Sequence, residues 1–209
     1  MHIGYCEHHR DHGIVQPINT VSALGFVVVA LIIYTNASGT VATTTATLLL
    51  ILGITTALMH GMAEHWALKA DESAMFALLG WFILCYLMVL LPSVPTKTFV
   101  MLYVTFLCII VANVVWNTST HLLPFIVFAI ISLGIISYCV YHHPGEIKYF
   151  VTSIVLFIVA LIIWKLSDDD GILCYPESWF QGHALWHILT AVAFLYLWKH
   201  VSSLCQKCK

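Results

Sequence analysis

Charge is scarce in this sequence. Asp, Glu, Lys and Arg make up 9% of its 209 residues, against roughly 25% in a typical globular chain, too few to cover a water-facing surface. Cations are fewest of all. Eight Lys and Arg supply no basic face for a nucleic-acid backbone, so no nucleic-acid partner is expected. The same composition excludes disorder, collagen-like repeats and a small disulfide scaffold, and internal repeats, low-complexity tracts and a second domain are lacking too. Nor does the N-terminus carry a basic start followed by an apolar core; His2, Glu7, His8, His9, Arg10 and Asp11 crowd it instead, so the first span is expected to stay in the mature protein. What fills the chain is apolar, at 61%. The composition is that of an integral membrane protein.

The charge-free runs give the spans, since a helix needs about 20 apolar residues to cross a hydrocarbon core. Asp11 to Glu64 and Lys97 to Glu146 each hold two, turning at Asn36-Ala37-Ser38-Gly39 and at Asn117-Thr118-Ser119-Thr120-His121. Glu72 to Lys97 holds one, stopped by Pro92 and Pro95; Glu177 to Lys199 holds another. Lys148 to Lys165 is short, but both lysines can snorkel. The reading is an all-α, seven-helix transmembrane bundle forming one domain over 1–209, with helices near 17–36, 41–62, 72–91, 97–116, 121–141, 147–165 and 180–201, an N-terminal segment 1–16 and a tail 202–209. Lysines near the helix ends favour an outer N-terminus and a cytoplasmic C-terminus. Glu7, Asp11, Glu64, Asp71, Glu72, Asp168, Asp169, Asp170 and Glu177 then share the outer side, with Glu146 alone opposite.

Of the twelve histidines, eleven can be sorted by their place along the chain. His2, His8, His9, His12, His121, His142, His143 and His200 lie in loops or at helix ends and read as wet interfacial residues. His60, His183 and His187 differ. His60 closes an apolar helix. His183 and His187 stand four apart, on one helical face about 6 Å from each other along the axis. Polar groups inside a span belong in a bundle interior. Connectivity puts the end of the second helix level with the starts of the third and seventh, so His60, Asp71, His183 and His187 share one depth. Three His ligands leave a fourth position open, the arrangement of catalytic zinc. Thr56 lies one turn before His60, its hydroxyl expected toward the same ion, and Asp71 is the acid placed to handle a proton. His60-Gly61-Met62-Ala63-Glu64-His65 matches neither H-E-x-x-H nor H-x-x-E-H. No Lys lies mid-way in the last helix to hold retinal. Haem between His60 and one of the pair is a second reading.

These residues carry a family resemblance. Cys6-Glu7 with Asn19-Thr20-Val21-Ser22, then Thr56, His60 and Asp71, then Gly182-His183-Ala184-Leu185-Trp186-His187 resemble, in order, the motifs of the alkaline ceramidases, in the seven-helix hydrolase superfamily that includes the adiponectin and progestin receptors. The resemblance implies zinc held by His60, His183 and His187, with Asp71 and Thr56 catalytic. The implied reaction is hydrolysis of the amide of ceramide or a related N-acyl sphingolipid to a long-chain base and a fatty acid. Zinc would bring the pKa of a water to about 7, Asp71 would move its proton, and the Thr56 hydroxyl would face the oxyanion. A non-catalytic receptor of the same superfamily is the alternative. The implied substrate is a membrane lipid, and no obligate protein partner is implied. That family's N-terminal region also binds calcium. Here Glu7 is kept, while Gly4, His9 and Gln16 stand at other ligand positions. Ca²⁺ takes six to eight oxygens, so Glu7 is left as a lone calcium candidate, and Asp168-Asp169-Asp170 reads first as a solvated loop. The resemblance also supports a Cys6–Cys174 disulfide on the outer side, in an oxidising lumen or periplasm. Cys85, Cys108 and Cys139 read as core residues; Cys205-Gln206-Lys207-Cys208 reads as a weak metal or redox motif or a juxtamembrane acylation site.

Overall fold

A computed structural model describes the backbone of residues 5–116 and 122–207, with the side chains of 122–127, 129 and 205–207 excepted. The helices are α1 (Pro17–Ser22), α2 (Leu24–Asn36), α3 (Thr40–Met62), α4 (His65–Leu90), α5 (Thr96–Trp116), α6 (Leu122–His142), α7 (Ile147–Leu166) and α8 (Gly182–Lys207). Among the described residues there is no strand, only one antiparallel bridge between Tyr5 and Asp168. α1 and α2 are one rod with a single irregular residue at Ala23, so the molecule is an all-α bundle of seven rods. Pro17 opens the first of them, where its missing N–H costs nothing. Six rods are long and apolar enough to cross a membrane; α6, of 21 residues, is the seventh and shows an apolar stretch over Ile130–His142. Large apolar side chains such as Val21, Leu24, Val28 and Leu31 are exposed along α1 and α2, a surface that only lipid makes favourable. The protein is a multi-pass membrane protein.

Two boundaries differ from the sequence reading. α4 begins at His65 rather than near 72: Ala67, Asp71 and Ala74, spaced by four and three, are buried, so the helical period already runs through the charged stretch. The charge-free run hid this helical period. At the other end of the chain, α8 continues to Lys207, so most of the expected tail is helix. The polar stretch 117–121 and residue Cys208 lie outside the described residues. Cys108 faces outward, whereas Cys85 and Cys139 are buried. His200 is not a wet residue either: it is fully buried, bonded to the Tyr86 hydroxyl through Nδ1 at 2.8 Å and to the Pro144 carbonyl through Nε2 at 3.1 Å.

α2, α3, α4 and α8 form the inner bundle, with α5 and α6 packed on α4 and α7 packed on α8. One end of the bundle gathers the N-terminal segment, the end of α3, the start of α4, the end of α7 and the start of α8. The described part of the N-terminal segment is a strap across that end. Cys6 is disulfide-bonded to Cys174 in the α7–α8 loop, and the His8 amide donates to the Pro176 carbonyl at 3.2 Å. Further on, the amides of Val15 and Gln16 donate to the carbonyls of Gly61 and His60 at 3.0 and 3.1 Å. These are carbonyls that the last turn of α3 cannot satisfy itself.

Candidate metal centre

α3 and α8 bring three imidazoles together beneath the strap. One ligand nitrogen each of His60, His183 and His187 lies within 4.8 Å of the others. The ring centroids are 5.0 Å apart for His60–His183 and for His60–His187, and 4.5 Å apart for His183–His187. All three are buried, His60 completely. Among the described residues this is the one group of three or more His, Cys, Asp or Glu side chains placed to share an ion.

Hydrogen bonds fix which ring nitrogens face inward. Gln16 Nε2 donates to the Glu7 carbonyl at 3.1 Å, so its Oε1 is the atom 2.7 Å from His60 Nδ1 and accepts from it. Ser22 spends its only hydroxyl hydrogen on the Asn19 carbonyl, 2.7 Å away, and therefore accepts from His187 Nδ1 at 2.8 Å. Both rings then present Nε2 as a lone pair. His60 Nε2 and His183 Nδ1 are buried and have no hydrogen-bond partner in the protein. Orphaned imidazole nitrogens this deep are costly, and a shared cation satisfies them at once. The donor set, three neutral imidazoles with outer partners on two of them, fits a divalent ion such as zinc with an open position.

Thr56 and Asp71 meet beside the cluster. The Thr56 hydroxyl donates to Asp71 Oδ1 at 2.5 Å, and both side chains are buried. That hydroxyl, expected to face an oxyanion, is engaged on the carboxylate. Tyr5 covers the cluster from the strap, its ring centroid 3.9 Å from that of His183 and 5.1 Å from that of His60. Burial, with Asp71, Glu72 and Asp168 nearby, holds its phenol above the ordinary tyrosine value. Glu7 is buried and caps α1: its two oxygens accept the amides of Ile18 at 2.7 Å and Asn19 at 2.8 Å. Asp168 pairs with Lys165 at 3.4 Å.

Beside the cluster a cavity of about 230 Å³ lies between α3, α4, α7 and α8. Thr56, Asp71, His183 and His187 stand in its wall, and Leu52, Met75, Phe76, Leu79, Phe157 and Phe194 make it apolar. α7 leans on α8 rather than on α4, and residues of both α4 and α7 stand in the cavity wall. Sequence reasoning missed Gln16, the part played by Ser22, the cover formed by Tyr5, and the buried Thr190 hydroxyl in the cavity wall. One signal was available: Gln16, Asn19 and Ser22, spaced by three at the head of an apolar run, mark a polar face that must turn inward.

Compared with protein-family models and with curated proteins, the chain matches none.

Proposed function

We propose that the protein is a membrane-embedded zinc amidase acting on ceramide or a related N-acyl sphingolipid, as the alkaline ceramidase motifs in its sequence imply. The observation that carries this reading is the grouping of three buried imidazoles with an acid–hydroxyl pair at the head of an apolar cavity. His60, His183 and His187 would hold the ion. A bound zinc ion supplies a nucleophile from water near neutral pH and polarises a carbonyl. Asp71 accepts the proton of the attacking water and returns it to the leaving amine, the two proton transfers that amide hydrolysis requires. Thr56 holds the Asp71 carboxylate in place through its hydroxyl. The cavity is smaller than the roughly 300–1,000 Å³ of pockets that enclose drug-sized ligands. It suits the amide and the nearest methylenes, while the tails lie in the gap between α4 and α7 and remain in lipid.

The Cys6–Cys174 disulfide supports an outer or lumenal position for this end of the bundle, in agreement with the lysine bias that puts the C-terminus in the cytoplasm. The test is mass spectrometry of free long-chain base and fatty acid after purified protein is incubated with ceramide. Wild type releases both, and Asp71→Asn is expected to keep its zinc and lose about 10²–10⁴-fold in rate. A zinc-loaded wild type that releases neither product would favour the receptor reading; an Asp71→Asn variant as fast as wild type would remove Asp71 from the chemistry.

A further inference from the structure

Gln16 holds His60 twice. Its backbone amide donates to the His60 carbonyl at 3.1 Å, and its side-chain Oε1 accepts from Nδ1 of the same residue at 2.7 Å. The other end of the side-chain amide donates to the carbonyl of Glu7 at 3.1 Å, next to the disulfide-bonded Cys6. Gln16 is fully buried, so neither end has water as a substitute. At this length an amide offers an acceptor and a donor on one rigid plane without having to take up a proton.

We propose that Gln16 is a positioning residue of the metal centre: it fixes His60 in the tautomer and orientation that present Nε2 to the ion, and ties that ligand to the disulfide-anchored strap. This rests on the proposed function only in that an ion occupies the three-histidine site. Hydrogen bonds to the far nitrogen of a ligating His orient the ring and raise its basicity, and losing one costs about 10–100-fold in metal affinity.

Two substitutions separate positioning from plain packing. Gln16→Met keeps the length and loses both hydrogen bonds. Gln16→Glu loses the donor to Glu7 but keeps an acceptor for His60 Nδ1. Cobalt(II) is titrated into metal-free protein, with affinity and ligand-field absorption as readouts and the intact Cys6–Cys174 disulfide as the folding control. Gln16→Met is expected to bind cobalt about 10–100-fold more weakly, with an altered spectrum, while Gln16→Glu stays close to wild type in both. Wild-type affinity in Gln16→Met would overturn the assignment. So would an equal loss in both variants, which would mean that the Glu7 contact, and not the His60 contact, matters. A wild type that binds no cobalt would overturn the metal centre itself, and this inference with it.

Discussion

Burying three imidazoles, a carboxylate and a threonine hydroxyl in an apolar bundle is unfavourable unless each finds a partner. Thr56 and Asp71 find one another, Gln16 and Ser22 take one nitrogen each of His60 and His187, and a cation would complete the set. The grouping of the three histidines was legible in the sequence because helical spacing and span connectivity are local rules. Their outer partners were not, because the contacts join residues 44 and 165 positions apart, pairings that no periodicity records. Glu7 shows the same limit. Its acid is visible in the sequence, but only the fold shows both oxygens capping α1. Burial pushes its carboxyl above the ordinary glutamate value, although the amides of Ile18 and Asn19 and the charge of Arg10 pull it down. A raised value in the folded state means that stability is greatest below the unfolded value and falls as pH rises through the folded one. Glu7→Gln keeps an acceptor and cannot ionise. Melting curves in detergent should therefore show wild type losing ground to Glu7→Gln as pH climbs from about 4.5. An unchanged difference across that range would contradict the burial argument.

Helices in lipid gain nothing from hiding apolar faces from water and associate through close packing of small residues. Gly53 of α3 is such a point: an added Cβ would lie 2.8 Å from Val27 Cγ2 and 3.2 Å from the Ala23 carbonyl oxygen, beside the irregular residue that separates α1 from α2. Gly53→Leu is expected to force α2 and α3 apart and to cost about 1–3 kcal/mol, read as a lower unfolding midpoint in micelles. Gly134→Ala on α6, where nothing lies within 4 Å of the added carbon, should leave the midpoint unchanged or raise it. Equal effects at the two positions would contradict this packing. Element boundaries followed the sequence closely except at the end of α8, which runs on to Lys207, and at α4, where the charges of its first turns masked a helix that had already begun.

For the molecule as a whole, the number of rods was readable from the length of the apolar runs, and their arrangement was not. Lipid-facing and core-facing sides are alike in composition, so no amphipathic stripe shows that α7 rests on α8 or that a gap beside α4 is left open. The gap matters to the proposed function because it would bring a site built from polar groups within reach of a lipid substrate that stays in the bilayer. The strap matters because it joins the disulfide, the cap on α1 and a ligand histidine at the same end of the bundle. The account stands or falls on whether an ion sits under that strap. Zinc content per chain, measured by elemental mass spectrometry on purified wild type and His183→Ala, decides it. The prediction is about one zinc per wild-type chain and almost none in the variant, with the Cys6–Cys174 disulfide intact in both. Wild type without metal, or a variant that keeps as much zinc as wild type, would contradict it.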